Sequence, residues 1–158
     1  MRHIKGTRSP TSITMRLAIV MLALLGVPAC GPLVMVPGGE LSGEVQSVPS
    51  DWSFSDTVKT VQLETRPADP YSVNIYGVAV ARDFYVAASK PDNRWAQSIA
   101  HDDNVRLRIG KAIYELRAVR DDSPEGRERF LAALKRKYDY EPEEGEAYES
   151  VLFRLVAH

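Results

Sequence analysis

Lys90 and Arg94 are the residues whose types and spacing most directly invite chemistry. They stand on either side of Pro91-Asp92-Asn93, in a polar turn that opens a short helix over residues 94–101. Two cations beside the free backbone N–H groups of a helix start make an anion site. The plainer reading of the same residues is a solvated turn. Asp92 or Asn93 is suited to cap the helix. Trp95 shares a helix face with Ile99 and serves either as a core anchor or as a ring stacked on a ligand. Ser72 and Asn74 share one strand face, opposite Tyr71, Val73 and Ile75, and point either into a pocket or to the outside. His101 has Asp102 and Asp103 beside it but no second histidine, so no metal is expected there. Glu141, Glu143, Glu144, Glu146 and Glu149 lack the regular oxygen spacing of a calcium loop and read as a solvated acidic stretch. No G-x-S-x-G, H-E-x-x-H or P-loop pattern occurs, which leaves serine hydrolase, zinc protease and nucleoside triphosphatase readings without support.

The elements that must position these residues are mostly strands. Thr60-Val61-Gln62-Leu63-Glu64-Thr65 alternates apolar and polar, the period of a half-buried strand. Arg66-Pro67-Ala68-Asp69-Pro70 breaks it. Residues 71–80 resume the alternation with β-branched and aromatic side chains, and residues 84–88 follow after a tight connection, so 71–88 reads as an antiparallel hairpin. Val105-Arg106-Leu107-Arg108-Ile109 alternates strictly, turns at Gly110-Lys111 and returns over residues 112–119. Ser123-Pro124-Glu125 starts a second helix with a capping hydroxyl, proline at the first position and an early acid. Phe130, Leu131, Leu134 and Tyr138 recur along it at helical spacing, and Lys135, Arg136 and Lys137 suit its last turn. Residues 151–156 form a closing strand. The expected fold is mainly β (α+β): an antiparallel split barrel with two flanking helices, in the order β-β-β-helix-β-β-helix-β.

The bulk composition is that of one ordinary domain. The chain has 158 residues, 44% hydrophobic and 26% charged, with a formal net charge of -1. Nothing in that balance attracts nucleic acid. The single cysteine excludes an internal disulfide framework.

That cysteine closes a leader. Residues 1–16 carry Arg2, Lys5, Arg8 and Arg16 and no acid, and the apolar run Leu17 to Val27 follows. A basic start and a short apolar run mark a secretory signal, too short to span a bilayer. Met15 is a second plausible start beside Met1. Val27-Pro28-Ala29-Cys30 resembles the lipobox of bacterial lipoproteins. The resemblance implies cleavage before Cys30 and a diacylglycerol on its thiol, with several acyl chains giving stable anchoring. Gly31 is not the Asp of an inner-membrane retention signal, so the outer membrane is the expected site in the cell envelope. Residues 1–29 are then the signal peptide, 30–44 the anchor and tether, and 45–158 the domain. Removing the leader takes four of the 20 basic residues and none of the 21 acids, leaving 16 against 21 and a net of -5.

Residues 84–109, FYVAASKPDNRWAQSIAHDDNVRLRI, resemble the flavin-binding split barrel of the pyridoxamine 5′-phosphate oxidase-like proteins and their deazaflavin-dependent nitroreductase relatives. Ser89-Lys90 is similar to that family's Ser-basic turn, and Asp103-Asn104-Val105-Arg106-Leu107 to its corner and strand. The likeness extends over residues 58–156. It implies a homodimer with FMN or a deazaflavin between the subunits, the phosphate held by Ser89, Lys90 and Arg94, with Ser72 and Trp95 nearby. Tyr71, Tyr76, Tyr85 and Trp95 supply aromatic area for the dimer seam. The chain lacks the family's dense basic stretch before the hairpin, where only Arg66 is near. The expected function is cofactor-bound redox chemistry at the envelope, the cofactor supplying the chemistry. The alternative is a non-catalytic envelope lipoprotein whose barrel is a ligand-binding or scaffold module. Mass spectrometry of the membrane fraction should find Cys30 diacylated or triacylated and residues 1–29 gone; a soluble protein with a free Cys30 thiol overturns this.

Overall fold

Seven strands of this chain form one continuous hydrogen-bonded path whose two ends are neighbours in sequence. In the computed structural model, which describes residues 38–143, 145 and 149–158, the elements are β1 (Glu44–Val45), β2 (Val61–Thr65), β3 (Tyr71–Ile75), β4 (Gly77–Val80), β5 (Asp83–Ala88), α1 (Arg94–His101), β6 (Asn104–Ile109), β7 (Ala112–Arg120), α2 (Pro124–Tyr138) and β8 (Val151–Val156). A short 3₁₀ turn, Ser53–Thr57, precedes β2. The sheet order is β3-β2-β6-β7-β8-β5-β4, and every neighbouring pair in it is antiparallel. Seven strands laid flat would hold the edges roughly 29 Å apart. Ile75 and Gly77 are two peptides apart, at most about 7.6 Å. The sheet therefore curls until β3 and β4 meet without pairing, which is a split barrel.

This corrects one sequence expectation. Residues 71–88 are not a single hairpin: β3 pairs with β2, with Tyr71 opposite Thr65, and only β4 and β5 form the hairpin. The strand breaks at exposed Tyr76 because the chain there crosses from one sheet edge to the other. Gly77 makes the crossing possible: a Cβ on it would lie 2.4 Å from the ring of fully buried Phe84. Two side chains of α2 hold the place. Lys137 donates from Nζ to the Gly77 carbonyl at 2.7 Å, and the Tyr138 hydroxyl donates to that carbonyl at 3.0 Å. The Gly77 N–H in turn donates to the Tyr138 hydroxyl at 3.2 Å. Burial pushes the Lys137 ammonium below its ordinary pKa and the Tyr138 phenol above its own.

Alternation sorts the strand residues into two layers. Leu63, Phe84, Val86, Leu107, Leu116, Phe153 and Leu155 fill the barrel interior together with Trp52, and α1 adds Trp95, Ala96 and Ile99. Val78, Tyr85 and Leu152 point outward and pack under Phe130, Ala133 and Leu134 of α2. The start of α2 follows its sequence signals: the Ser123 hydroxyl accepts from the Gly126 N–H at 3.1 Å, and Pro124 is at the first position.

Contacts with the barrel begin upstream of Val45. Gly38 and Ser72 exchange two backbone hydrogen bonds, at 2.9 and 2.8 Å. The Leu41 N–H donates to the carboxylate of Glu64, which is 2% exposed. Arg106 donates to both oxygens of Glu64, at 3.1 and 3.2 Å, and Arg108 donates to the Ser42 carbonyl at 2.9 Å. β1 then runs parallel to the first residues of β7. Residues 38–44, expected as tether, are thus packed on the domain. Residues 1–29, expected as a signal peptide, Cys30, residues 31–37, Glu144 and Glu146 lie outside the described residues.

Gly77→Ala should destabilise the fold by about 1–3 kcal/mol through overpacking against Phe84, read as a lower urea midpoint. An unchanged midpoint would show that the crossing is not tightly packed.

Candidate functional site

The turn that follows β2 builds the most distinctive polar surface. Arg66 takes a positive φ of 58°, unusual for a residue with a side chain. The Asp69 N–H donates to its carbonyl at 2.9 Å, and its guanidinium pairs with the Asp69 carboxylate at 2.8 Å. Asp69 is well exposed, so this pair adds little stability. The turn delivers Tyr71 opposite Thr65, whose hydroxyl donates to the Tyr71 carbonyl at 3.3 Å.

Tyr71 receives two guanidinium groups. Arg66 lies 5.5 Å and Arg94 4.5 Å from its ring centroid. The ring's electron-rich face attracts each cation and so brings them together despite their mutual repulsion. A cleft of about 380 Å³ opens beside them, bounded by Arg66, Asp69, Arg94, Gln97, His101 and Asp102. Arg94 makes no ion pair with a described residue. The Nε of Arg66 is buried with no hydrogen-bond partner. A buried donor left unmade costs about 1–3 kcal/mol, and an anion beside it would recover that cost. Among the described residues no group of three or more His, Cys, Asp or Glu is placed to hold a metal ion.

The residues singled out from sequence are distributed as follows. Asn93 occupies the capping position of α1, but its side chain makes no capping hydrogen bond, and no acid lies in the first turn. The start of α1 therefore keeps open N–H groups beside Lys90 and Arg94. Lys90 is exposed and forms no ion pair with a described residue. Ser89, also exposed, borders a different cleft of about 240 Å³, an apolar one between Tyr76, Ala87, Phe130, Leu134 and Tyr140. Trp95 is 5% exposed and packs on Phe153 with ring centroids 5.6 Å apart, so it is a core anchor. Ser72 is buried beneath Gly38, and a Cβ on Gly38 would be 2.8 Å from its hydroxyl. It opens onto no cleft described here. The structure thus brings Arg94 to Arg66 and Tyr71 while Ser72 and Trp95 serve packing. Tyr71 was legible as a strand residue and as aromatic area for a dimer seam; its role as the ring under two arginines depends on sheet register and on a helix 23 residues downstream.

No protein-family model matches the chain, and no curated protein sequence matches it. Solved structures do. A conserved hypothetical protein of Mycobacterium tuberculosis superposes with a TM-score of 0.54 at 18% identity, over 67% of this chain and 77% of that one. A candidate pyridoxamine 5′-phosphate oxidase from Listeria innocua superposes with a TM-score of 0.53 at 11% identity, over 66% and 87%. The fold is the split barrel. An FAD-binding protein of Mesorhizobium loti has it too, with a TM-score of 0.50 at 15% identity over 67% of this chain and 86% of its own. The antiparallel split barrel with two flanking helices expected from the sequence is therefore the architecture found, and one of its solved neighbours is an FAD-binding protein.

Proposed function

We propose that this chain is a lipid-anchored envelope protein whose split barrel holds the phosphate end of a flavin-class cofactor, FMN or a deazaflavin, at Arg66 and Arg94. The observation that carries the reading is the pair of guanidiniums on Tyr71, one with an orphaned buried Nε and the other without an ion pair. An anionic group fits that donor set, and Lys90 with the open N–H groups at the start of α1 adds to it. The fold of an FAD-binding protein and of a candidate pyridoxamine 5′-phosphate oxidase supports the cofactor class. A bound flavin would supply the redox chemistry. The protein's part is to fix the phosphate with Arg66 and Arg94.

Anchoring rests on Cys30 and the leader before it, and places the domain at the outer membrane. With Gly38 pinned to Ser72, seven residues, 31–37, lie between the lipidated cysteine and the first barrel contact among the described residues, eight Cα steps and a reach of roughly 28 Å at full extension. The chain would pair as a homodimer. Tyr85 and Trp95, expected in the seam, are buried in the chain's own layers and leave it. Among the described residues, Tyr76, Phe54 and Val45 are exposed apolar side chains that could form it.

A second reading is favoured by residues 38–45, which cover part of the outer face of β2 and β6. In that case the protein is a non-catalytic lipoprotein using the barrel as a binding or scaffold module. Titration with FMN separates the two. Wild type should bind with a flavin absorbance change, and Arg66→Gln and Arg94→Gln should each weaken binding roughly tenfold or more, while Lys135→Ala binds as wild type. No binding of flavin, deazaflavin or haem leaves the second reading. Sedimentation of the domain from residue 31 onward should give a dimer mass at micromolar concentration, and a strict monomer overturns the pairing.

A further inference from the structure

A second cleft, of about 350 Å³, lies among the β4–β5 turn, the end of β7, the first turns of α2, and β8. Three arginines from three elements line it: Arg120 of β7, Arg129 of α2 and Arg154 of β8. Their N–H donors are incompletely used. Arg120 gives only its Nε to Asp122, 2.8 Å from both carboxylate oxygens, and its terminal nitrogens have no partner among the described residues. Arg154 meets Asp83 at 3.5 Å, the outer limit of a hydrogen bond. Arg129 is exposed and forms no ion pair with a described residue.

The acids on the wall are Asp83 and Asp121. Asp121 is already committed. It accepts from the Ser123 hydroxyl at 2.5 Å, the Ser123 N–H at 3.1 Å and the Tyr85 hydroxyl at 3.1 Å. Those bonds, the Ser123 hydroxyl foremost, hold its carboxyl below the usual range. The Tyr85 side chain is 2% exposed, so this wall is rigid and built into the layer under α2. Three guanidiniums therefore line one cleft with Asp83 and Asp121 on its wall and Asp122 against Arg120, and because Asp121 is saturated by other donors the arginines keep unused N–H groups toward the cleft.

We propose that this cleft binds a small phosphomonoester, its phosphate gripped by Arg120, Arg129 and Arg154. Guanidinium forks match phosphate oxygens two at a time, which a point charge does not. Loosening the half-exposed Arg154–Asp83 pair to reach a ligand costs little. The space equals about twelve waters at roughly 30 Å³ each, enough for a small organic body beyond the phosphate. The site shares no residue with the Arg66–Arg94 cleft, so it stands or falls separately from the flavin reading.

The test is titration of the purified full chain with inorganic phosphate and with ethyl phosphate at low salt. Guanidinium NMR resonances report each arginine and calorimetry reports affinity. Saturable shifts at Arg129 and Arg154 are expected. Arg129→Gln and Arg154→Gln should each weaken that binding at least about tenfold while the unfolding midpoint stays near wild type. No saturable binding overturns the proposal. So does binding that is equal in both variants and wild type, or binding reported only by Arg66 and Arg94.

Discussion

The structure depends on how the chain gets from one edge of its sheet to the other through a single residue. Tyr76 joins β3 to β4, and those two strands bound an otherwise continuous antiparallel path. Backbone length alone forces that path to curl. What keeps the curl in place is the polar lock on Gly77, whose carbonyl accepts from Lys137 and Tyr138 and whose N–H donates to Tyr138. The edge carbonyl would otherwise want water or another strand. A lysine is held there at a cost to its own charge, as its lowered pKa records. The ring of Tyr76 packs at a tilt on Tyr138 with centroids 4.6 Å apart and closes the crossing from outside.

Because the barrel is closed by a crossing and not by pairing, β3 is free to serve other elements. Its inner face packs Tyr71, Val73 and Ile75 against the core, and its N-terminal end meets α1. That meeting sets Arg94 over the Tyr71 ring, to which the β2–β3 turn also brings Arg66. The outer face is handled differently. Glu64 is buried there only because Leu41 and Arg106 satisfy it, and Gly43 approaches Ile113 closely enough that a Cβ would be 3.1 Å from it. A buried carboxylate without those partners would be strongly unfavourable. The upstream segment is therefore part of the packed structure. The two arginine clefts differ from this arrangement in one respect. Their guanidiniums keep unused donors on a scaffold whose other polar groups are largely paired.

Much of the fold was legible because it is written locally. Period-two alternation located β2 and β6, the apolar runs at 84–88 and 151–156 fall on β5 and β8, the Gly110-Lys111 turn, with Gly110 at a φ of 64°, lies between β6 and β7, and Ser123-Pro124 starts α2 as its residue types require. The leader and Cys30, on which the expectation of lipidation rests, are also a local pattern, independent of the fold. The break in residues 71–80 was not legible. Both halves alternate correctly, and only the pairing of β3 with β2 and of β4 with β5 shows that they belong to opposite sheet edges. Nor did the run of glycines and prolines from residue 31 reveal that residues 38–45 pack on β2 and β7, since their partners are backbone groups and Glu64, far away in sequence. Of the candidate site, the sequence alone identified Arg94 and Lys90 as cations at a helix start. Which ring and which second guanidinium Arg94 would meet is a fact of strand register and helix placement, and those are set by non-local burial that no single segment encodes.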